Sequence, residues 1–90
     1  MLKLDKSSKF RHDLKRCAKR NYDISLLNDV INTLRIPASL PYKNKDHELS
    51  GNFNKLRECH ITPDWLLIYR VDNNILYLER TGTHADLFGL

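Results

Sequence analysis

Two short breaks, "TPD" and "DNN", constrain this chain more than any other feature. They divide the stretch from Lys55 to Thr81 into three runs: "KLRECHI", "WLLIYRV" and "ILYLERT". Such short runs, rich in branched and aromatic side chains, read as strands. Both breaks have hairpin length and turn chemistry, so the runs are expected to pair as an antiparallel meander. "WLLIY", Trp65 to Tyr69, is apolar on both faces, as a central strand covered on both sides would be. It is also the longest unbroken apolar run, far short of the roughly 20 residues of a membrane span, so no membrane role is expected.

A meander needs something to cover one face, and the first half of the chain supplies it. "MLKLD" alternates and reads as a first strand. In "SSKFRHDLKRCAKRN", Ser7 or Ser8 can cap a helix whose apolar stripe is Phe10, Leu14, Cys17 and Ala18. In "YDISLLNDVINTLRI", Asp23 or Ser25 can cap a second, with Leu27, Val30, Ile31 and Leu34 on one side and Pro37 as its stop. Residues 37–54 carry turn-forming residues without a sustained period and read as a loop. The expected fold class is therefore α+β, in the order β-α-α-β-β-β, with two helices on a twisted antiparallel sheet. At 90 residues and 41% apolar, one modest core and a single domain, 1–90, are expected. The N-terminus has no signal-peptide pattern, and Cys17 and Cys59 lack metal-site spacing, so they read as reduced thiols in a cytoplasmic protein.

Charge is unevenly distributed. Residues 1–45 hold 11 Lys/Arg against 4 Asp/Glu, a net of +7, whereas residues 46–90 hold 4 against 7, a net of −3. The basic half suits phosphates or an acidic protein, although a solvated helix face has the same composition.

The second half gathers the groups that can do chemistry. His47 lies in the loop, His60 enters the first hairpin corner, Asp64 leaves it, and Arg80 and His84 follow on the last strand and the tail beyond it. One end of the sheet can collect all of them. Imidazoles exchange protons near neutral pH, a carboxylate can orient one or act as a base, and a guanidinium can grip a phosphate in two places. Together they suit metal-free cleavage of RNA, in which a base takes the 2′-hydroxyl proton and an acid protonates the departing 5′-oxygen. Two plainer readings compete. Three His and one Asp can hold Zn²⁺, but no H-x-x-x-H or C-x-x-C spacing is present, so no metal and no cofactor are expected. Any one histidine taken alone is more often a structural group bonded to a carbonyl. Trp65 and Phe88 are equally ambiguous between core and a ring on which a base stacks.

"KDHELSG", "RECHITPDWLLIYRV" and "ERTGTHADLFG", in that order over Lys45–Gly89, resemble the YafQ branch of the RelE/ParE toxin superfamily. The resemblance implies a RelE-like fold and a type II toxin that cuts messenger RNA on the ribosome and is silenced by a cognate antitoxin. It implies catalytic roles for His47, His60, Asp64 and His84, and substrate contacts for Arg80, Trp65 and Phe88. The expected roles are His84 as general acid, Asp64 or His47 as base, and His60 as a group that orients a neighbour or stabilises charge. On this reading Lys15, Arg16, Lys19 and Arg20 dock on ribosomal RNA. The alternative is a non-catalytic toxin of the same fold that inhibits a protein or RNA by binding.

Overall fold

The structure, a computed structural model, describes residues 1–36, 47–49 and 55–89. The elements are β1 (Lys3–Lys6), α1 (Ser8–Lys19), α2 (Ile24–Arg35), β2 (His47–Glu48), β3 (Arg57–Thr62), β4 (Trp65–Asp72), β5 (Ile75–Gly82) and α3 (His84–Phe88). The α+β expectation holds, with two additions: the stretch read as a loop contains β2, and the tail forms α3. Other parts of that loop, 37–46 and 50–54, lie outside the described residues.

The five strands are ordered β1-β5-β4-β3-β2. The β3-β4-β5 meander is antiparallel, as is the β2–β3 pair. β1 departs from the expectation and runs parallel to β5, from Lys3 opposite Ile75 to Lys6 opposite Leu78. A parallel pair needs a long crossover between its strands, and here everything from α1 to β4 lies between them.

The turn chemistry acts where the sequence placed it. Asn73 and Asn74 both have positive φ, 50° and 63°, the conformation a two-residue hairpin with the right twist requires. Ser7 caps α1, its hydroxyl accepting from the Phe10 N–H at 2.9 Å, and Asp23 caps α2 by accepting from the Ser25 N–H. α2 ends at Arg35, two residues before Pro37.

One face of the sheet carries the core. Cys59, Trp65, Leu67, Tyr69, Leu76 and Leu78 meet Phe10 and Cys17 of α1 and Leu27, Val30 and Ile31 of α2. Full burial of a side chain such as Phe10 or Leu27 contributes about 1.5–3 kcal/mol. Ala18, expected on the α1 stripe, is exposed, and Asp13 is buried in its place. Both cysteines are buried thiols outside any disulfide, and burial pushes the Cys17 thiol up.

Two bulges shift the alternation. Between Leu78 (opposite Tyr69) and Arg80 (opposite Ile68), β5 advances two residues for one of β4. Leu76 and Leu78 face the core before the bulge, and after it the odd-numbered Thr81, opposite the core residue Leu67, takes that place. A second bulge lies between His60 and Thr62, just before the Pro63–Asp64 turn.

Candidate active site

Strand alternation sends Glu58 and His60 to the face opposite their neighbour Cys59, away from the helices. Glu58 is 5% exposed, a buried carboxylate on the sheet face away from the helices. His47 pairs with it in register across β2–β3, its Nε2 3.7 Å from Glu58 Oε1. His60 Nε2 approaches the same oxygen at 3.3 Å. On its other side His60 Nδ1 lies 3.3 Å from the Pro63 carbonyl, which can only accept.

His84 arrives from the chain beyond β5, with its ring centroid 5.7 Å from that of His60; His47 and His60 are 6.5 Å apart. Its Nδ1–H donates to Asp64 Oδ1 at 2.6 Å, and its backbone N–H donates to the same oxygen at 3.1 Å. Those two bonds hold the Asp64 carboxyl below its usual range. The hairpin corner and the tail thus meet in one contact. A ligand atom from each of Glu58, His60 and His84 lies within 4.8 Å of the others, a spacing that can hold a cation as well as hand protons across a short gap. Beside Asp64 a cavity of about 230 Å³ opens, walled by Tyr22, Leu26, Thr62, Trp65 and Thr83 among others.

The four expected catalytic residues, His47, His60, Asp64 and His84, therefore gather at one end of the sheet. The sequence reading missed Glu58, although "RECH" in a strand already puts Glu58 and His60 on one face.

The expected substrate contacts are placed differently. The Trp65 indole is 3% exposed, 4.9 Å from the Tyr22 ring, and its N–H donates to Thr81 Oγ1 at 2.9 Å. It builds the wall of the cavity and the core rather than an exposed stacking surface. Phe88 is half-buried in the last turn of α3. Arg80 does not reach the histidine face. Its Nε and Nη2 donate to buried Asp13 at 2.6 and 3.0 Å, bordering a second cavity with Ser8, Lys9, His12 and Arg16. The buried Asp13 charge draws Arg80 toward α1.

Comparison with known proteins shows the family and the fold. The family described as "Bacterial toxin of type II toxin-antitoxin system, YafQ" matches residues 2–89. The chain belongs to that family. The mRNA interferase toxin YafQ of Escherichia coli K12 is 40% identical over 91 residues, covering 96% of this chain and 95% of that protein. A metal-bound toxin from Helicobacter pylori superposes with a TM-score of 0.92 at 42% identity, covering 98% of this chain and all of that one. YafQ in the E. coli DinJ–YafQ complex superposes at 0.91 with 38% identity, over 99% of this chain and all of that one. This YafQ-family protein is accordingly a toxin of a type II toxin–antitoxin system. No helix among the described residues is long and apolar enough to cross a membrane.

Half of the expected docking set has other work. Arg20 holds Asp86 of α3 with two bonds, at 2.7 and 3.1 Å, and Arg16 bonds Asp13 at 3.1 Å. The Arg20 guanidinium is the main cause of the strongly lowered Asp86 carboxyl, and Asp86 in turn raises Arg20. Lys15 and Lys19 lie on the same helix, and both are exposed.

Proposed function

We propose that this toxin is a ribosome-dependent endoribonuclease that cuts messenger RNA during translation, in the cytoplasm, and that an acidic cognate antitoxin silences it. The observation that carries the reading is the His84–Asp64 pair beside His60, His47 and Glu58, on a chain 40% identical to an mRNA interferase.

Asp64 accepts from His84 Nδ1 and so fixes the ring's tautomer and direction, leaving Nε2 as the proton-transferring atom. A carboxylate held below its usual range is a weak base, so of the two bases expected from sequence, Asp64 and His47, Asp64 is read as an orienting group. The base is then His47 or His60, each with a ring nitrogen close to the Glu58 carboxylate. In the reaction a histidine removes the ribose 2′-hydroxyl proton, the oxygen attacks the adjacent phosphorus, and His84 protonates the leaving 5′-oxygen. The products are a 2′,3′-cyclic phosphate end and a free 5′-hydroxyl. The ribosome would hold the message in the required in-line geometry, which an open, half-exposed site does not supply by itself. Lys15 and Lys19 are the cations left for ribosomal RNA, and the basic half of the chain fits an acidic antitoxin.

Primer extension on a translated message tests this. Wild type should give cuts in register with codons, only when ribosomes are present, and His84→Ala should give none. Blocked translation without cut ends would instead support a toxin that acts by binding.

One observation favours a second property of the same site. Glu58, His60 and His84 are spaced for a cation, and the H. pylori relative is metal-bound. A Cu²⁺ or Zn²⁺ ion there would occupy the imidazoles that cleavage needs, so adding either ion should slow cutting, and an unchanged rate would count against occupancy.

A further inference from the structure

α3 has five residues and buries none of them, yet it carries His84. Helices this short are not stable by themselves, so something else must fix this one. Asp86 does so from within. Its Oδ2 accepts the Thr83 N–H at 3.0 Å, while its own N–H donates to Thr83 Oγ1 at 3.0 Å, a reciprocal cap. The same carboxylate is gripped from outside by both terminal nitrogens of Arg20, with Arg16 Nε 3.7 Å away. Gly82 permits this approach: with φ of +154°, a Cβ there would lie 3.0 Å from Asp86 and 3.1 Å from Arg16 Nη2. Asp86 is two residues beyond His84, and α1 is anchored in the core by Phe10 and Cys17.

We propose that Arg20 and Asp86 are positioning residues for His84: the fork from the end of α1 fixes the backbone of α3, while Asp64 fixes the ring. The proposal rests on the reading of His84 as the proton donor. It reassigns Arg20 from docking to geometry. Both Arg20 terminal nitrogens already face a carboxylate, and a phosphate would have to displace it. Arg20 is 39% exposed along its side chain, so the pair adds little to overall stability, and its use is directional.

The test is single-turnover cleavage on translating ribosomes, together with ribosome affinity against salt and nitrogen-resolved NMR of the imidazoles in the isolated toxin. Arg20→Ala and Asp86→Asn are each expected to slow the cleavage step about ten- to a hundredfold, the scale of a misplaced reacting group. Combining them should be no worse than either alone, because both remove one contact. Ribosome affinity and its salt slope should stay at wild-type values, and Arg20→Lys should recover part of the rate. The His84 ring signals should move in both variants. Arg20→Ala that cuts at the wild-type rate while losing about one unit of salt slope would make Arg20 a docking cation and overturn the proposal. Unmoved His84 signals would overturn it as well. If wild type itself makes no cuts, the cleavage reading fails, and the NMR arm still decides whether the fork places His84. Should Arg20→Ala not fold, Arg20→Lys decides the same question through rate and ring signals.

Discussion

Around Asp13, four N–H groups converge on one buried carboxylate: Arg80 Nε at 2.6 Å, Arg80 Nη2 at 3.0 Å, Arg16 Nη2 at 3.1 Å and the Thr81 backbone at 3.2 Å. Around Glu58, also buried, two imidazoles approach at 3.3 and 3.7 Å. Both carboxylates lie against the sheet, Asp13 on the helix side and Glu58 on the opposite side. Their partners differ in kind. Guanidinium groups and a backbone amide never give up their protons at ordinary pH, so the Asp13 cluster is a permanent brace between α1 and β5. Imidazoles exchange theirs, so the Glu58 cluster can change state during a reaction. On the proposed reading, one small sheet keeps charge for rigidity on one face and charge for chemistry on the other.

Removing each carboxylate should separate the two roles. Asp13→Ala leaves Arg80 and Arg16 facing a buried gap and should cost about 3 kcal/mol in urea unfolding. That is the low end for a broken buried pair, because Arg80 is 30% exposed. A loss below about 1 kcal/mol would dissolve the contrast. On the reactive side, His84→Ala should lower the cleavage rate by about 10²–10⁴-fold, the usual range for a lost acid or base, with only a small change in melting temperature. Glu58→Gln should slow cleavage about tenfold and change stability by about 1 kcal/mol or less, since an amide can still accept from one imidazole. A Glu58→Gln variant that unfolds but keeps its cleavage rate would make Glu58 a second brace.

The smallest effect expected is on acid stability. Asp86 and Asp64 have folded-state carboxyl values below their ordinary ones, through Arg20 and His84 respectively. Their stabilisation is complete above the unfolded carboxylate value of about 3.9 and is lost as pH falls through the lower folded-state values. Unfolding free energy should therefore decline from about pH 4 downward, and less steeply in Asp86→Asn than in wild type. Parallel curves for the two proteins would show that the Arg20–Asp86 fork carries no acid-sensitive stability.

Local chemistry in the sequence determined the elements of this toxin. Short runs of branched and aromatic residues gave β3 to β5, Asn73–Asn74 gave a hairpin, Ser7 and Asp23 gave helix starts, and the placing of His60, Asp64 and His84 around the hairpin and tail gave most of the candidate site. Even Asp13 left a local trace, three residues after Phe10 and four before Cys17, on the apolar stripe where an acid does not belong without a partner. What that partner is could not be read locally. Arg80 lies 67 residues from Asp13, and the β5 bulge that gives Thr81 the core-side place is a property of pairing between strands. The same holds for Trp65, drawn into the core through Thr81, and for Arg20, claimed by Asp86 across 66 residues. Periodicity and capping act over a few residues and are written in the chain. Which charges meet is decided only when α1, β5 and α3 are packed against one another.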